Sequence, residues 1–362
     1  MASLPPEPIH LRDQIADHLR DRLRSGEWPE FLPSERYLMR ALDVSRLTVR
    51  FALQALEGEG LLQSEGKRRR VLEGSRGTRT KTGGGKTEVV VLSSRALEEV
   101  MYSHVVVFDM LREKLGRHGF SMEVLISPRF EMTRRGQEFA EIVANHPDAC
   151  FLLIRIPSAG QDWFARHAPH SLVLGSTGED KRLPSFDIDF DATCFHAASM
   201  LAGRRKRRLA FVRRASDLVG DSLSENGLRR ACKQFGCEAI VHRLPGEPAS
   251  VIDWLQALRR DRCLPDGIIA SDPAIYLSIF SFCHAAKLSI PEEIALVCRG
   301  DDPLLDAVRP GVARYRINDN AYINRLWNCL LPILRGQSVD AHAELVFPDY
   351  VPGDSVGYPV VH

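Results

Sequence analysis

The sequence predicts an α/β chain in two parts: a small N-terminal winged helix-turn-helix, then a two-lobed body of parallel sheets flanked by helices. Three observations predict it. Residues 32–73 place two short helical patterns on either side of a tight joint and follow them with a basic hairpin. Residues 74–86, GSRGTRTKTGGGK, hold no apolar side chain. From residue 89 to residue 297, short apolar runs alternate with helical stretches, the pattern of a doubly wound parallel sheet.

At 362 residues and 44% hydrophobic content, the chain can build two or three domains with real cores. No apolar run approaches the length that crosses a bilayer. The opening MASLPPEPIH has no basic stretch leading into an apolar one, so a cytoplasmic protein with no membrane partner is expected. The eight cysteines all lie beyond residue 86 and form no C-x-x-C pair. Thiols scattered through apolar runs such as IFSFCHAA point to a reducing compartment, with neither a disulfide framework nor a metal site. The net charge of +1 conceals an asymmetry: 16 of the 48 Lys+Arg and 12 of the 47 Asp+Glu fall in residues 1–86, leaving 32 against 35 behind them. A basic head on a faintly acidic body suits a polyanionic partner for the head alone.

Within the head, residues 9–25 carry Ile15, Leu19 and Leu23 on one helical stripe that Gly26 ends. Trp28 and Pro29 sit in a connector, the indole tucked against the helices. Ser34 caps a second helix with Leu38 and Leu42 facing inward. After Asp43 and Val44, Ser45 caps a third helix whose inner face is Val49, Ala52, Leu53 and Leu56. Two helices joined so tightly put the N-terminal turn of the second into a major groove. That turn holds Ser45, Arg46, Thr48 and Arg50, donors that suit guanine edges and phosphates. Arg36, one turn into the preceding helix, is placed to reach a phosphate or a base edge. Residues 61–64 and 70–73 alternate as strands, and the turn between them carries Gly66, Lys67 and Arg68 toward a minor groove.

Residues 32–36 (LPSER), 44–50 (VSRLTVR) and 59–61 (EGL) resemble the GntR family of bacterial regulators nearly letter for letter. The resemblance implies DNA contacts from Arg36, Arg46, Thr48 and Arg50. The wing departs from the family's usual G-R-G-T tip, with Gly66 followed by Lys67, Arg68, Arg69 and Arg70. More charge there implies stronger attraction to the phosphate backbone.

The Gly/Ser/Thr-rich segment 74–86 reads as a flexible tether, dividing a DNA-binding domain (1–73) from a body (87–362). Strands are expected at 89–92, 122–126, 150–154, 171–174, 186–188, 209–212, 239–241, 267–269 and 294–297. Helices are expected around 105–118, 136–144, 193–201, 225–235, 250–260 and 273–286. The basic run GRRKRR at 203–208 falls between a helix end and a strand and is expected to be a solvated loop. GGGKT at 83–87 precedes the first strand instead of following one, which argues against a phosphate loop.

The body is similar to the effector domain of LacI/GalR-type regulators, relatives of periplasmic sugar-binding proteins. The matching segments are Asp189 and the helix after it, RRLA at 207–210, PDGII at 265–269, Ser271 with Asp272, IPEEIAL at 290–296, Asp301 with Asp302, and Arg309 with Pro310. By that resemblance a small-molecule effector, a sugar or sugar derivative, sits between two lobes and the chain is a homodimer. The effector candidates are Ser94, Ser224, Ser271 and Asp301. Two of these depart from the family: Ser224 stands where a sugar-clamping arginine is usual, and Ser271 where an asparagine is. A short hydroxyl in place of a guanidinium removes directional hydrogen bonding.

The expectation is therefore a metabolite-responsive transcription regulator, a repressor on a pseudo-palindromic operator, needing no cofactor and catalysing nothing. The alternatives are a DNA-binding head on a metabolite-processing enzyme domain, or on a ligand-blind dimerisation domain.

Overall fold

The computed structural model describes residues 15, 16, 19, 20, 23, 28, 31–42, 44–58, 61–65, 68–71, 86–96, 102–131, 136–178 and 182–357. The chain divides into two compact units, Met1–Gly83 and Gly84–His362.

In the head, helix α1 spans Glu35–Leu42 and α2 spans Arg46–Gly58. Each starts on the serine that the sequence offers: Tyr37 N donates to Ser34 Oγ (3.3 Å), and Thr48 N to Ser45 Oγ (3.1 Å). Those bonds satisfy amides that have no partner inside the helix. Leu38, Val49, Ala52, Leu53 and Leu56 close on Ile15, Leu19, Leu23 and Trp28 in one core, as their spacing predicts. The remainder of the first helix, with Gly26, lies outside the described residues. The wing is an antiparallel hairpin of β1 (Leu62–Glu65) and β2 (Arg68–Val71). Glu65 pairs directly with Arg68, so the turn is two residues, shorter than the sequence suggested, and β2 starts two residues earlier. Gly66 and Lys67 lie outside the described residues, as does most of the tether.

The body holds two six-stranded sheets. In the first lobe the order is β13 (Ala343–Val346), β7 (Ser185–Ile188), β6 (Ser171–Leu174), β5 (Ala149–Ile154), β3 (Glu88–Ser93) and β4 (Ser121–Ile126), with every pairing parallel. Strand β3 is apolar from Val89 to Leu92 because both its faces are covered. Val89 and Val91 enter one core with α3 (Tyr102–Arg117), while Val90 and Leu92 enter another with Phe139 of α4 (Gly136–Asn145) and Phe164 of α5 (Ser158–His167).

The second lobe repeats the plan with β14 (Asp349–Val351), β12 (Ala313–Arg316), β11 (Ala295–Cys298), β10 (Gly267–Ala270), β8 (Arg208–Arg214) and β9 (Glu238–Leu244), only β14 running antiparallel. Alternate residues again divide between two cores, Ala210 and Val212 on one side, Leu209 and Phe211 on the other. Its helices are α6 (Phe190–Gly203), α7 (Val219–Phe235), α8 (Val251–Arg260) and α9 (Pro273–Ala285).

The chain crosses between lobes three times: from β7 into α6, from β12 into α10 (Asp319–Leu334), and from β13 into β14. Helix α10 packs Tyr322, Leu326 and Leu330 into the first lobe although β12 belongs to the second. Asp189 N donates to Val346 O (2.9 Å), which ties the first crossing to the third. Asp189 and Asn318 each cap the helix that follows.

Several elements of the body depart from the sequence reading. Helix α5 was not expected, and α7 begins six residues before the expected 225. The run at 203–208 leaves Arg205 and Arg207 exposed, as a solvated loop would, and is also fastened: Arg204 and Arg207 donate to the α6 carbonyls of Met200 and Ala202 (3.1 and 2.9 Å), and Lys206 Nζ donates to Pro291 O and Glu292 O (2.8 and 2.7 Å). Cations there complement the negative end of the helix.

Candidate functional site

Two sites follow from this architecture, one in each unit. In the head, the N-terminal turn of α2 presents Arg46 and Arg50 with side chains 64% and 51% exposed, beside exposed Ser45, Leu47 and Phe51. The Ser45 and Thr48 hydroxyls lie 2.8 Å apart, and Ser45 Oγ also accepts the Thr48 amide, capping the helix. Arg36 is exposed on α1.

Arg46 and Arg50 converge with Arg69 of the wing on one carboxylate. Arg46 Nε and Arg50 Nε donate to Glu35 Oε2 (3.3 and 3.1 Å), and Arg69 Nη1 donates to Glu35 Oε1 (3.2 Å). Burial alone would raise the Glu35 carboxyl, but the hydrogen bonds from Arg46, Arg50 and Arg69 outweigh it and hold the group below its usual range. Arg69 also donates to Glu57 (2.7 Å) and is only 20% exposed. That corrects the expectation for the wing: this cation points inward and fastens the hairpin to both helices. Arg68 stands in β2 opposite Glu65.

In the body, the carboxyl ends of both sheets face each other across the three crossings, where ligands of such folds bind. Two cavities lie there. The larger, about 290 Å³, is lined by Ser271, Asp301, Arg316, Tyr315 and Asp319. The smaller, about 150 Å³, is lined by Arg155, Ser176, Asp187, Asp221 and Tyr322. Ile188, Phe190 and Arg299 form walls of both.

The four predicted effector residues separate in this geometry. Ser271 and Asp301 line the larger cavity. Asp301 is already engaged, accepting from Arg314 Nε and Arg316 Nε at 2.5 Å each. Ser94 and Ser224 are fully buried and line neither cavity. Ser224 instead donates to Gly220 O (2.9 Å) and receives Arg299 Nη1, so it acts as a seat for that guanidinium.

Sequence reasoning missed Arg299 and Asp187. Arg299 follows β11 from the second lobe, 12% exposed, with its guanidinium over the Phe190 ring at 4.4 Å and Asp221 Oδ1 3.7 Å away. Asp187 comes from β7 in the first lobe, accepting from Ser176 Oγ (2.5 Å) and the Ile188 amide (2.8 Å). Burial pushes its carboxyl up to about 6 against the pull of those bonds and of the Arg299 charge. Arg155, in the same wall, holds a left-handed backbone (φ 52°), a strained conformation of the kind that gathers at ligand sites. A cation directly after the apolar run ALVC was the available signal, since strand ends carry ligand contacts in this fold.

Outside the cleft, Glu88, Glu123 and His146 bring their donor atoms within 4.8 Å of one another. His146 turns Nδ1 to Glu88 (3.0 Å) and Nε2 to Glu123 (3.9 Å), an imidazole held between two carboxylates. All eight cysteines are free thiols, and burial raises the Cys150 thiol to about 12.

Residues 11–71 match the family of bacterial regulatory proteins, gntR family, and residues 198–356 match the periplasmic binding protein-like domain. Among solved structures, a probable maltose operon transcriptional repressor, malR, from Staphylococcus aureus superposes with a TM-score of 0.64 at 16% identity, over 75% of this chain and 99% of that one. The transcription regulator CcpA of Lactococcus lactis gives 0.63 at 11%, over 75% and 99%. A LacI family regulator from Bifidobacterium animalis subsp. lactis gives 0.63 at 16%, over 75% and 98%. At such identities the likeness establishes the fold. No curated protein sequence matches the chain. The fold and the two matched domains define a transcription regulator with a DNA-binding head and an effector-binding domain. The head is a gntR-type winged helix-turn-helix, and the body is a LacI-like, periplasmic-binding-protein-like domain. No helix among the described residues is long and apolar enough to cross a membrane.

Proposed function

We propose that this regulator is a cytoplasmic homodimeric repressor that binds a pseudo-palindromic operator through Arg36, Ser45, Arg46, Thr48 and Arg50, with Gly66, Lys67 and Arg68 of the wing alongside. The observation that carries this reading is the capped N-terminal turn of α2, where two half-exposed arginines stand beside hydroxyl donors. Helix ends of this composition read base edges and phosphates. The body closes on a sugar or sugar derivative held between its lobes, with Ser271, Asp301, Ser94 and Ser224 in or behind the walls. The maltose operon repressor among its structural neighbours supports a sugar as the ligand class. Closure that changes the spacing of two heads on one site switches affinity through effective concentration. The ligand is bound and released unchanged.

The test is selection of duplexes from a random pool by the full chain, followed by binding of the selected site to Arg46→Ala and Arg50→Ala. Each substitution should weaken the selected site by about 1–3 kcal/mol and relax preference at one base position. Unchanged affinity and unchanged salt dependence in both would refute the head assignment. Consumption of any bound metabolite by the full chain would refute the non-catalytic reading.

A further inference from the structure

Arg299 belongs to the second lobe and Asp187 to the first, and both stand in the wall of the smaller cavity. No hydrogen bond joins them. Of the five donors a guanidinium carries, Arg299 places one on Ser224 Oγ, and its nearest carboxylate, Asp221, stays at 3.7 Å, beyond hydrogen-bonding reach. The ring of Phe190 on one side (4.4 Å) and Phe211 on another (5.4 Å) fix the plane of the fork.

We propose that Arg299 and Asp187, one from each lobe, set the specificity of this cleft: they admit an uncharged ligand whose neighbouring hydroxyls bridge them and reject its charged counterparts. The proposal rests on the reading of this cleft as the effector site. Charge decides the ligand class. A carboxylate or phosphate would satisfy Arg299 but would face Asp187, Asp217 and Asp221 in the same compartment. An ammonium would satisfy those carboxylates but would face Arg299 and Arg155. A hydroxyl both donates to a carboxylate and accepts from a guanidinium, so a diol meets both groups without adding charge. The remaining wall, with Ile154, Val173, Leu174 and Ile188, suits the C–H face of such a molecule. At roughly 30 Å³ per water, the smaller cavity holds about five waters, the scale of a small metabolite.

Calorimetry on the full chain tests this with neutral aldoses and alditols, each paired with its aldonate and its amino sugar. A neutral member should bind saturably, and its charged counterparts should bind at least about tenfold more weakly. Arg299→Met should weaken the neutral ligand by about tenfold or more, and Arg299→Lys should not restore it, because an ammonium lacks the planar fork. Asp187→Asn should weaken the neutral ligand and also narrow the gap to the aldonate, since the opposing charge is gone. A merely structural role for Asp187 would not shift that ratio. Thermal melting of each variant checks the fold; should Arg299→Met melt early, the ratio in Asp187→Asn decides. Tighter binding of a charged partner overturns the proposal, and so does wild-type affinity in the variants. No binding across the whole panel overturns the sugar-type effector reading along with it.

Discussion

Replacing Glu35 with Gln removes the single negative charge on which Arg46, Arg50 and Arg69 converge. Arg46 and Arg50 are more than half exposed, so each pair contributes a few tenths of a kcal/mol. Arg69 is mostly covered but keeps Glu57, so its loss is about 0.5 kcal/mol. Head stability should therefore fall by about 1 kcal/mol, a drop of roughly 4–8 °C in the head's melting transition. DNA binding should move the other way. Two arginines released from a carboxylate are freer to meet phosphate, which makes binding to random-sequence duplex about threefold tighter at low salt and steepens its log-log salt slope by up to about one unit. Fluorescence anisotropy against potassium chloride measures both. Equal or weaker binding by a folded Glu35→Gln head would show that the carboxylate does not restrain these arginines. The pH dependence supplies a second check. Because the folded Glu35 carboxyl lies below its ordinary value of 4.5, its stabilisation is present above that pH and is lost as pH falls through the lowered folded value. Variant and wild-type melts should converge there.

Three further outcomes follow from the body. Glu225, 3% exposed, holds Arg213 and Arg243; burial works against its ionisation, yet the two guanidinium partners bring its carboxyl down to about 2. Glu225→Gln removes the closest charge partner of the buried Arg213, which keeps Asp221 at 3.7 Å and two carbonyls, and should cost about 1.5–3 kcal/mol in urea unfolding, a loss that shrinks as pH falls from about 4.5 toward 2. Gly227→Ala places a Cβ 2.2 Å from Asp191 O and 2.9 Å from Phe195 N, forcing α6 and α7 apart, and should destabilise the body by more than about 2 kcal/mol in the same measurement. Asp187 titrates in the opposite sense to Glu225. Its folded value is raised to about 6, so wild type loses stability as pH rises from about 4 through 6, and Asp187→Asn should melt higher than wild type at pH 8 with the difference gone below pH 4.

Most elements were legible in the sequence because their residues face uniform surroundings. The α2 core positions Val49, Ala52, Leu53 and Leu56 follow one helical stripe, and β3 and β5 are apolar because both faces are covered. Helix α5 escaped notice because SAGQDWFARH buries only Phe164 and so carries no stripe. The C-terminal elements escaped for another reason. Helix α10 carries an apolar stripe (Tyr322, Ile323, Leu326, Trp327, Leu330), but Pro332 interrupts its last turn, and β12, ARYR, buries Arg314 against Asp301, so the strand reads as charged. The cleft was the least legible part. Ser224 occupies a position where resemblance predicts a ligand contact, but a buried hydroxyl one helical turn after Gly220 bonds its own helix. Arg299 and Asp187 lie more than a hundred residues apart in different sheets, and only the crossings bring them into one wall.

That dependence on the crossings also bears on switching. A ligand moves a two-state equilibrium only by its difference in affinity for the two states, and about 5.5 kcal/mol takes a population from 1:99 to 99:1. Where the lobes move as rigid bodies, a molecule touching one lobe alone has no such difference. A diol bridging Arg299 to Asp187 makes charge-assisted hydrogen bonds, about 1.5–3 kcal/mol each, that both exist only when the lobes approach. Two such bonds are of the size a switch needs, whereas neutral contacts at about 1 kcal/mol would require several. Asp301 serves less well in this way: its charge is already paired with Arg314 and Arg316 of its own lobe, whereas Asp187 meets only a hydroxyl and an amide. The switching contact therefore falls to the pair that spans the crossings, and replacing Arg299 should abolish ligand control of DNA binding while leaving ligand-free DNA affinity intact.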